Sequence, residues 1–179
     1  MNLNQKIAIV TGGASGFGAA IAQRMALAGA SVMVADLNAG LESTLNVVLH
    51  EVKYKAEVVK ALQPLPLVHC LAGQLNQVFM NLIVNASHAI ADKGVITLSS
   101  GAVGDWVWVQ VDDTGCGMSE DVQRRIFEPF YRLPGASERE GGVGLGLSLV
   151  QSIVQRHGGS VRCEDREGGG ARFVVMLPA

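Results

Sequence analysis

Between Gln74 and Leu147 the chain sets a polar-striped helix, a strand closed by an aspartate and a glycine string at a helix start, in that order. The helix signal lies in residues 74–91. At about 100° per residue, Gln77, Asn81 and Asn85 share one face, with His88 among them. Leu75, Phe79, Leu82, Ala86 and Ile90 take the opposite face, toward a sheet. Trp106 to Asp112 alternates as a strand, and Asp113-Thr-Gly-Cys-Gly117 follows as a turn. Gly142-Val-Gly-Leu-Gly-Leu147 then opens a helix that Gly158-Gly159 stops. Phe127-Glu-Pro-Phe130 lies between the last two motifs. A glycine-rich hexamer alone is weak evidence, but the ordered set points to a nucleotide site.

As a set, these motifs resemble the asparagine, glycine and phenylalanine boxes of the ATP-binding domain of sensor histidine kinases. That family belongs to the ATPase superfamily of gyrase, the MutL repair proteins and the 90-kDa heat-shock chaperones. The resemblance covers roughly residues 40–179. It implies ATP and Mg2+ as cofactors, Asn85 as the magnesium ligand and Asn81 assisting at the phosphates. Amides of this length suit a hydrated hard cation that takes few protein oxygens and keeps several waters. Asp113 would accept from the adenine amine, and Gly115 and Gly117 would let backbone approach the base. Gly142, Gly144, Leu145, Gly146 and Leu147 would bring helix-start amides to phosphate oxygens, with polar residues 131–141 as a lid and Arg132 or Arg139 within reach of phosphate. No Gly-Lys-Ser/Thr is present, so a P-loop is excluded.

The resemblance implies transfer of the γ-phosphoryl group to a histidine of a separate dimerisation domain, by positioning and charge neutralisation. Partners would be ATP or ADP and, in trans, the phosphoacceptor domain and a response regulator. Hydrolases of the superfamily carry a glutamate one turn before the metal asparagine. Asn81 holds that place here and cannot act as a base, which favours kinase over ATPase. In the last box the family has Gly-Thr-x-Phe and this chain has Gly170-Ala171-Arg172-Phe173, without the hydroxyl. His50-Glu51 begins like an acceptor motif, but no proline follows; His69 and His157 read as structural or surface residues. A nucleotide-binding module without turnover is the rival reading.

The first forty residues read differently. Lys6 to Val10 is a short apolar strand, and residues 11–18 are a glycine-rich turn leading to a helix over 18–28. Ser31 to Ala35 is a second strand closed by Asp36. Thr11-Gly12-x-x-x-Gly16-x-Gly18 resembles the opening of short-chain dehydrogenases, a Rossmann-like β-α-β. That implies glycines admitting a pyrophosphate and Asp36 bonding the adenosine ribose. The catalytic Tyr-x-x-x-Lys is absent: Tyr54 is followed four places later by Val58, and Tyr131 by Gly135. The expected organisation is a fragment over 1–39 and an ATP-binding domain over 40–179, a chimera or, alternatively, a native β-α-β extension. An oxidoreductase remnant dependent on NAD(P) is the weaker rival.

The rest of the chain predicts a helix over Leu41 to Leu49, an alternating segment over Val52 to Val59 and a loop at Pro64 and Pro66. Hairpins are expected over 95–111, turning at 101–105, and over 161–177, turning at Gly168-Gly169-Gly170. Ser119 should cap a short helix. These elements make a two-layer α/β sandwich with a mixed, mostly antiparallel sheet and helices on one face. A 49% hydrophobic content fits a folded core, and a formal charge of −2 gives no reason to expect nucleic acid. Three widely spaced cysteines argue for a reducing, cytoplasmic setting, and no apolar run is long enough to span a bilayer.

Overall fold

The computed structural model describes residues 7–10, 31–34, 36–66, 68–132 and 143–179. The expected helix over 18–28 and most of the expected lid lie outside them. β1 (Ile7–Val10) and β2 (Ser31–Val34) pair in parallel, as a β-α-β start requires. β2 leads into α1 (Leu37–Val52). Asp36 stands in extended backbone and its Oδ1 accepts from the amides of Asn38 at 2.9 Å and Ala39 at 3.1 Å. Those are first-turn N–H groups that have no partner within the helix. The cap starts α1 four residues before the expected Leu41. Val52, expected to begin a strand, is the helix's buried last residue.

β3 (Ala56–Leu62) follows. β4 (Val68–His69) is too short to announce itself in sequence, and it pairs antiparallel with β2. β2 therefore has β1 on one side and a strand from beyond α1 on the other. α2 (Ala72–Ala89) buries Leu75, Val78, Phe79, Leu82, Ile83 and Ala86. β5 (Gly94–Val103) and β6 (Trp106–Asp113) form a hairpin turning at Gly104-Asp105. β5 runs past Gly101, where a turn was expected. Gly101 pairs with Trp108, and a Cβ at Gly101 would sit 2.5 Å from the indole ring. The glycine is a packing choice inside a strand, not a bend.

α3 (Glu120–Arg125) has Ser119 at its N-cap position, but the serine side chain makes no capping bond; Glu120 and Asp121 still favour the helix dipole. α4 (Gly146–Arg156), β7 (Ser160–Asp165) and β8 (Ala171–Pro178) complete the chain. The main sheet has the order β3-β5-β6-β8-β7, with only β3 and β5 parallel. α1, α2 and α4 layer on one face of it around Phe79, Leu82, Ile96, Leu98, Val109, Val111, Val154 and Val175. This is the expected two-layer sandwich. Among the described residues no helix is long and apolar enough to cross a membrane.

Candidate functional site

β6 delivers Asp113 to the edge of the core. Valines at 107, 109 and 111 face the helices, so Asp113 continues their side of the strand and is 1% exposed. Asp112 faces the other way, as alternation demands. Arg172 on β8 grips it with Nε and one terminal nitrogen at 3.0 and 2.9 Å. Oδ1 of Asp113 accepts from the amides of Gly115 at 2.8 Å and Ala171 at 3.3 Å. Burial pushes this carboxyl above its ordinary range; the Gly115 and Ala171 amides pull it back, Asp112 adds to the rise, and Arg166 opposes it. Oδ2 has no protein donor among the described residues, so it can accept from a ligand.

The walls of this turn are glycine for steric reasons. A Cβ on Gly115 would lie 2.5 Å from the Ala89 carbonyl oxygen, and one on Gly170 would lie 1.9 Å from that of Asp113. Gly117 adopts φ +68, which favours glycine. Cys116 N donates to Ala89 O at 3.2 Å, tying the turn to the last turn of α2. The thiol of Cys163 nearby is pushed up to about 12 by burial and then by Asp113, Asp165 and Glu164, which disfavours its thiolate.

The polar face of α2 runs from there. Gln77 Nε2 donates to Asn81 Oδ1 at 3.4 Å, and Asn81 Nδ2 donates to Gly146 O at 3.3 Å. The helix thus touches the aspartate turn at Ala89 and the glycine string at Asn81. Eight residues of helix separate the two contacts, about 12 Å, a span on the scale of a nucleotide. Asn85 stands between them, partly exposed. His88, expected near the site, turns away: its Nε2 lies 3.1 Å from Glu51 Oε1 at the end of α1. Among the described residues no group of three His, Cys, Asp or Glu could hold a metal. A cation beside Asn85 would need amide, phosphate and water oxygens, the set magnesium accepts.

At the glycine string, Gly142 and Arg139 fall outside the described residues. Gly144 has φ +78, and a Cβ there would sit 2.8 Å from the Tyr131 carbonyl oxygen. Its own carbonyl accepts from Phe130 N at 2.9 Å. Phe130 is itself strained at φ +65 and 68% exposed. Residues 130–131 and Gly144 are therefore clamped together on either side of the expected lid. Leu145 is largely exposed, Gly146 starts α4, and Leu147 packs against the core.

Sequence reasoning missed three contributors. The Ala171 amide serves Asp113 where the resemblance led one to look for a side-chain hydroxyl. The Ala89 carbonyl and the Gly144 carbonyl are backbone atoms, and no residue type advertises them.

Residues 71–179, more than half of the chain, match the model of the histidine kinase-, DNA gyrase B- and HSP90-like ATPases. The chain belongs to this ATPase family. Residues 6–64 match the short chain dehydrogenase model, a span that runs on through α1 and β3. A sensor histidine kinase ZraS from Klebsiella oxytoca is 38% identical over 146 residues, covering 80% of this chain and 30% of the relative. The chain spans about a third of the length of the curated ZraS proteins it matches. The catalytic domain of histidine kinase ThkA superposes with a TM-score of 0.71 at 26% identity, covering 79% of this chain and 91% of that one. Full-length ShkA, solved in complex with AMPPNP, gives 0.69 at 29% identity over 80% of this chain and 30% of ShkA.

Proposed function

We propose that residues 40–179 bind ATP with magnesium and transfer its γ-phosphoryl group to a histidine on a separate phosphoacceptor domain, within a cytoplasmic two-component pathway that ends on a response regulator. The observation that carries this reading is the pair of α2 contacts, Ala89 to the aspartate turn and Asn81 to the glycine string, with Asn85 between them. In this reading Asp113 Oδ2 accepts from the adenine amine, and Gly115 and Gly117 keep backbone close to the base. Asn85 contributes the protein oxygen to magnesium, and Asn81 assists at the phosphates. Gly142, Gly144, Leu145, Gly146 and Leu147 present the start of α4 to the phosphate oxygens. Bound magnesium supplies charge neutralisation on the phosphates. An amide at position 81 cannot activate water, which preserves the phosphoryl group for transfer.

The N-terminal piece, residues 1–39, we read as a dehydrogenase-derived fragment joined to the ATP-binding domain. α1 runs across the expected boundary at Gly40, from Leu37 to Val52, and the dehydrogenase match extends through it to residue 64. Binding without turnover is the second reading, favoured by His88 being paired with Glu51 and pointed away from the site. The deciding experiment incubates the chain with labelled ATP and magnesium, alone and with an added acceptor domain. Acid-labile label should appear on the acceptor and not on the chain. Self-labelling lost with His50→Gln would move His50 from scaffold to acceptor, and no label on any acceptor would leave the binding module.

A further inference from the structure

α4 carries the glycine string at its start, and its eleven residues make it about 16 Å long. Val150, Ile153 and Val154 pack it into the core, and apolar contact of this kind is non-directional. Polar contacts add direction to that packing, and among the described residues α4 has one at each end. At the start, Asn81 Nδ2 donates to Gly146 O. At the foot, His157 Nε2 lies 3.0 Å from the Leu71 amide and Nδ1 lies 2.8 Å from Ile153 O.

The two bonds fix the ring's hydrogen. A backbone N–H only donates, so Nε2 accepts, and Nδ1 carries the hydrogen that goes to Ile153 O. Leu71 is the N-cap residue of α2, and a leucine has no acceptor of its own. In a capping box the third helical residue reaches back to the N-cap N–H; here an imidazole from another helix does so. The ring is itself well placed. Gly158 N donates to Gln155 O and Gly159 N to Val154 O, both at 3.0 Å, with Gly158 at φ +72. That is a Schellman turn. A Cβ on Gly159 would meet Met176 O at 2.1 Å, so the turn is pressed against β8.

We propose that His157 is a positioning residue of the nucleotide site: it pins the foot of α4 to the start of α2 and thereby sets where the glycine string stands relative to Asn81 and Asn85. This rests on the nucleotide reading above. The base end depends on Asp113 at the end of β6 and the Ala171 amide at the start of β8, and the hydrogen bonds of the His157 ring go to Leu71 and Ile153 instead. Loss of the pin should loosen the phosphate end and spare the base end.

The test uses the full chain with His157→Phe, which keeps a ring without nitrogens, and His157→Gln, whose amide oxygen can accept from the Leu71 N–H. ATP–Mg affinity is read by calorimetry, and AMP affinity by competition against a fluorescent ATP analogue. His157→Phe should weaken ATP–Mg about tenfold, the scale of one lost hydrogen bond, and leave AMP within about twofold. His157→Gln should recover most of the loss. In the ligand-free protein, the Leu149 and Val150 amides should exchange faster in His157→Phe. Equal losses for ATP–Mg and AMP, or faster exchange confined to residues 71–75, would reduce His157 to scaffold. Wild type that binds ATP–Mg alongside an unaffected Phe variant would overturn this proposal alone. Wild type that binds no ATP–Mg would remove the nucleotide reading and the proposal with it.

Discussion

Asp36 and Asp113 each stand where a strand gives way to the next element, and each makes the same local bond. Asp36 Oδ1 accepts from the amide two residues on at 2.9 Å, and Asp113 Oδ1 does so at 2.8 Å. They part at the second donor. For Asp36 it is Ala39, still on its own helix, and the carboxylate remains exposed. For Asp113 it is Ala171, 58 residues away on a neighbouring strand, and the side chain is shut in between β8 and the end of α2. The shared motif is a turn device; the second wall buries the carboxylate. An aspartate after an apolar strand is therefore buried only where the topology brings another strand over it.

The largest test of that contrast is a matched pair of substitutions. Asp113→Asn should weaken ATP–Mg by roughly ten- to a hundredfold, the range for a hydrogen bond to a charged group. Asp36→Asn should leave it unchanged. Calorimetry giving the two variants equal affinities would erase the distinction. Asn85→Ala sharpens it at the other end of the site. The variant should lose about tenfold in the presence of magnesium and nothing in its absence, as measured by ATP titration with and without chelator. A loss independent of magnesium would take the cation away from Asn85.

Much of the second region was legible because its signals are periodic. The stripe of Gln77, Asn81 and Asn85 against Leu75, Phe79 and Leu82 reads directly as one helix on a sheet, and the alternation of residues 106–112 gives which of Asp112 and Asp113 faces inward. What failed to show were contacts between distant backbones: β4 with only two residues, and the Ala171 amide at Asp113. The first region is less legible for a different reason. Its glycine spacing and Asp36 match a dinucleotide pattern, so Asp36 reads as a ribose ligand, while the structure uses its Oδ1 to start α1. A cap and a ribose contact demand the same side chain at the same place, and sequence alone does not separate them.

Asp36→Ala measures the cap. Removal should cost about 1 kcal/mol, or about 2–4 °C in Tm for a chain of this size, with nucleotide affinity untouched. The same variant examines the dinucleotide reading. Residues 1–39 carry a glycine pattern and one acid, and the described strands there, β1 and β2, lack the further parallel strands that form the crevice of a doubly wound sheet, so NAD should not bind measurably. Saturable NAD binding that disappears with Asp36→Ala would put a second pocket where the comparison allows only a cap.

The smallest effect concerns the stability of Asp113 itself. Burial raises its carboxyl above the ordinary 3.8, against the pull of the Gly115 and Ala171 amides. A folded-state value above the unfolded one means that the group favours folding fully below the unfolded value. That contribution is lost as pH rises through the folded value. Once ionised, Asp113 is thus a net strain on the ligand-free domain. Asparagine retains Oδ1 as acceptor for both amides and carries no charge. Ligand-free Asp113→Asn should therefore melt slightly above wild type at pH 7, and the gap should close as the pH falls toward 4. Asp36→Asn, whose carboxylate is exposed, should show no such pH-dependent gain. If Asp113→Asn melts below wild type at pH 7, the charge is stabilising in the folded chain. The two strand ends would then differ in partners alone and not in environment.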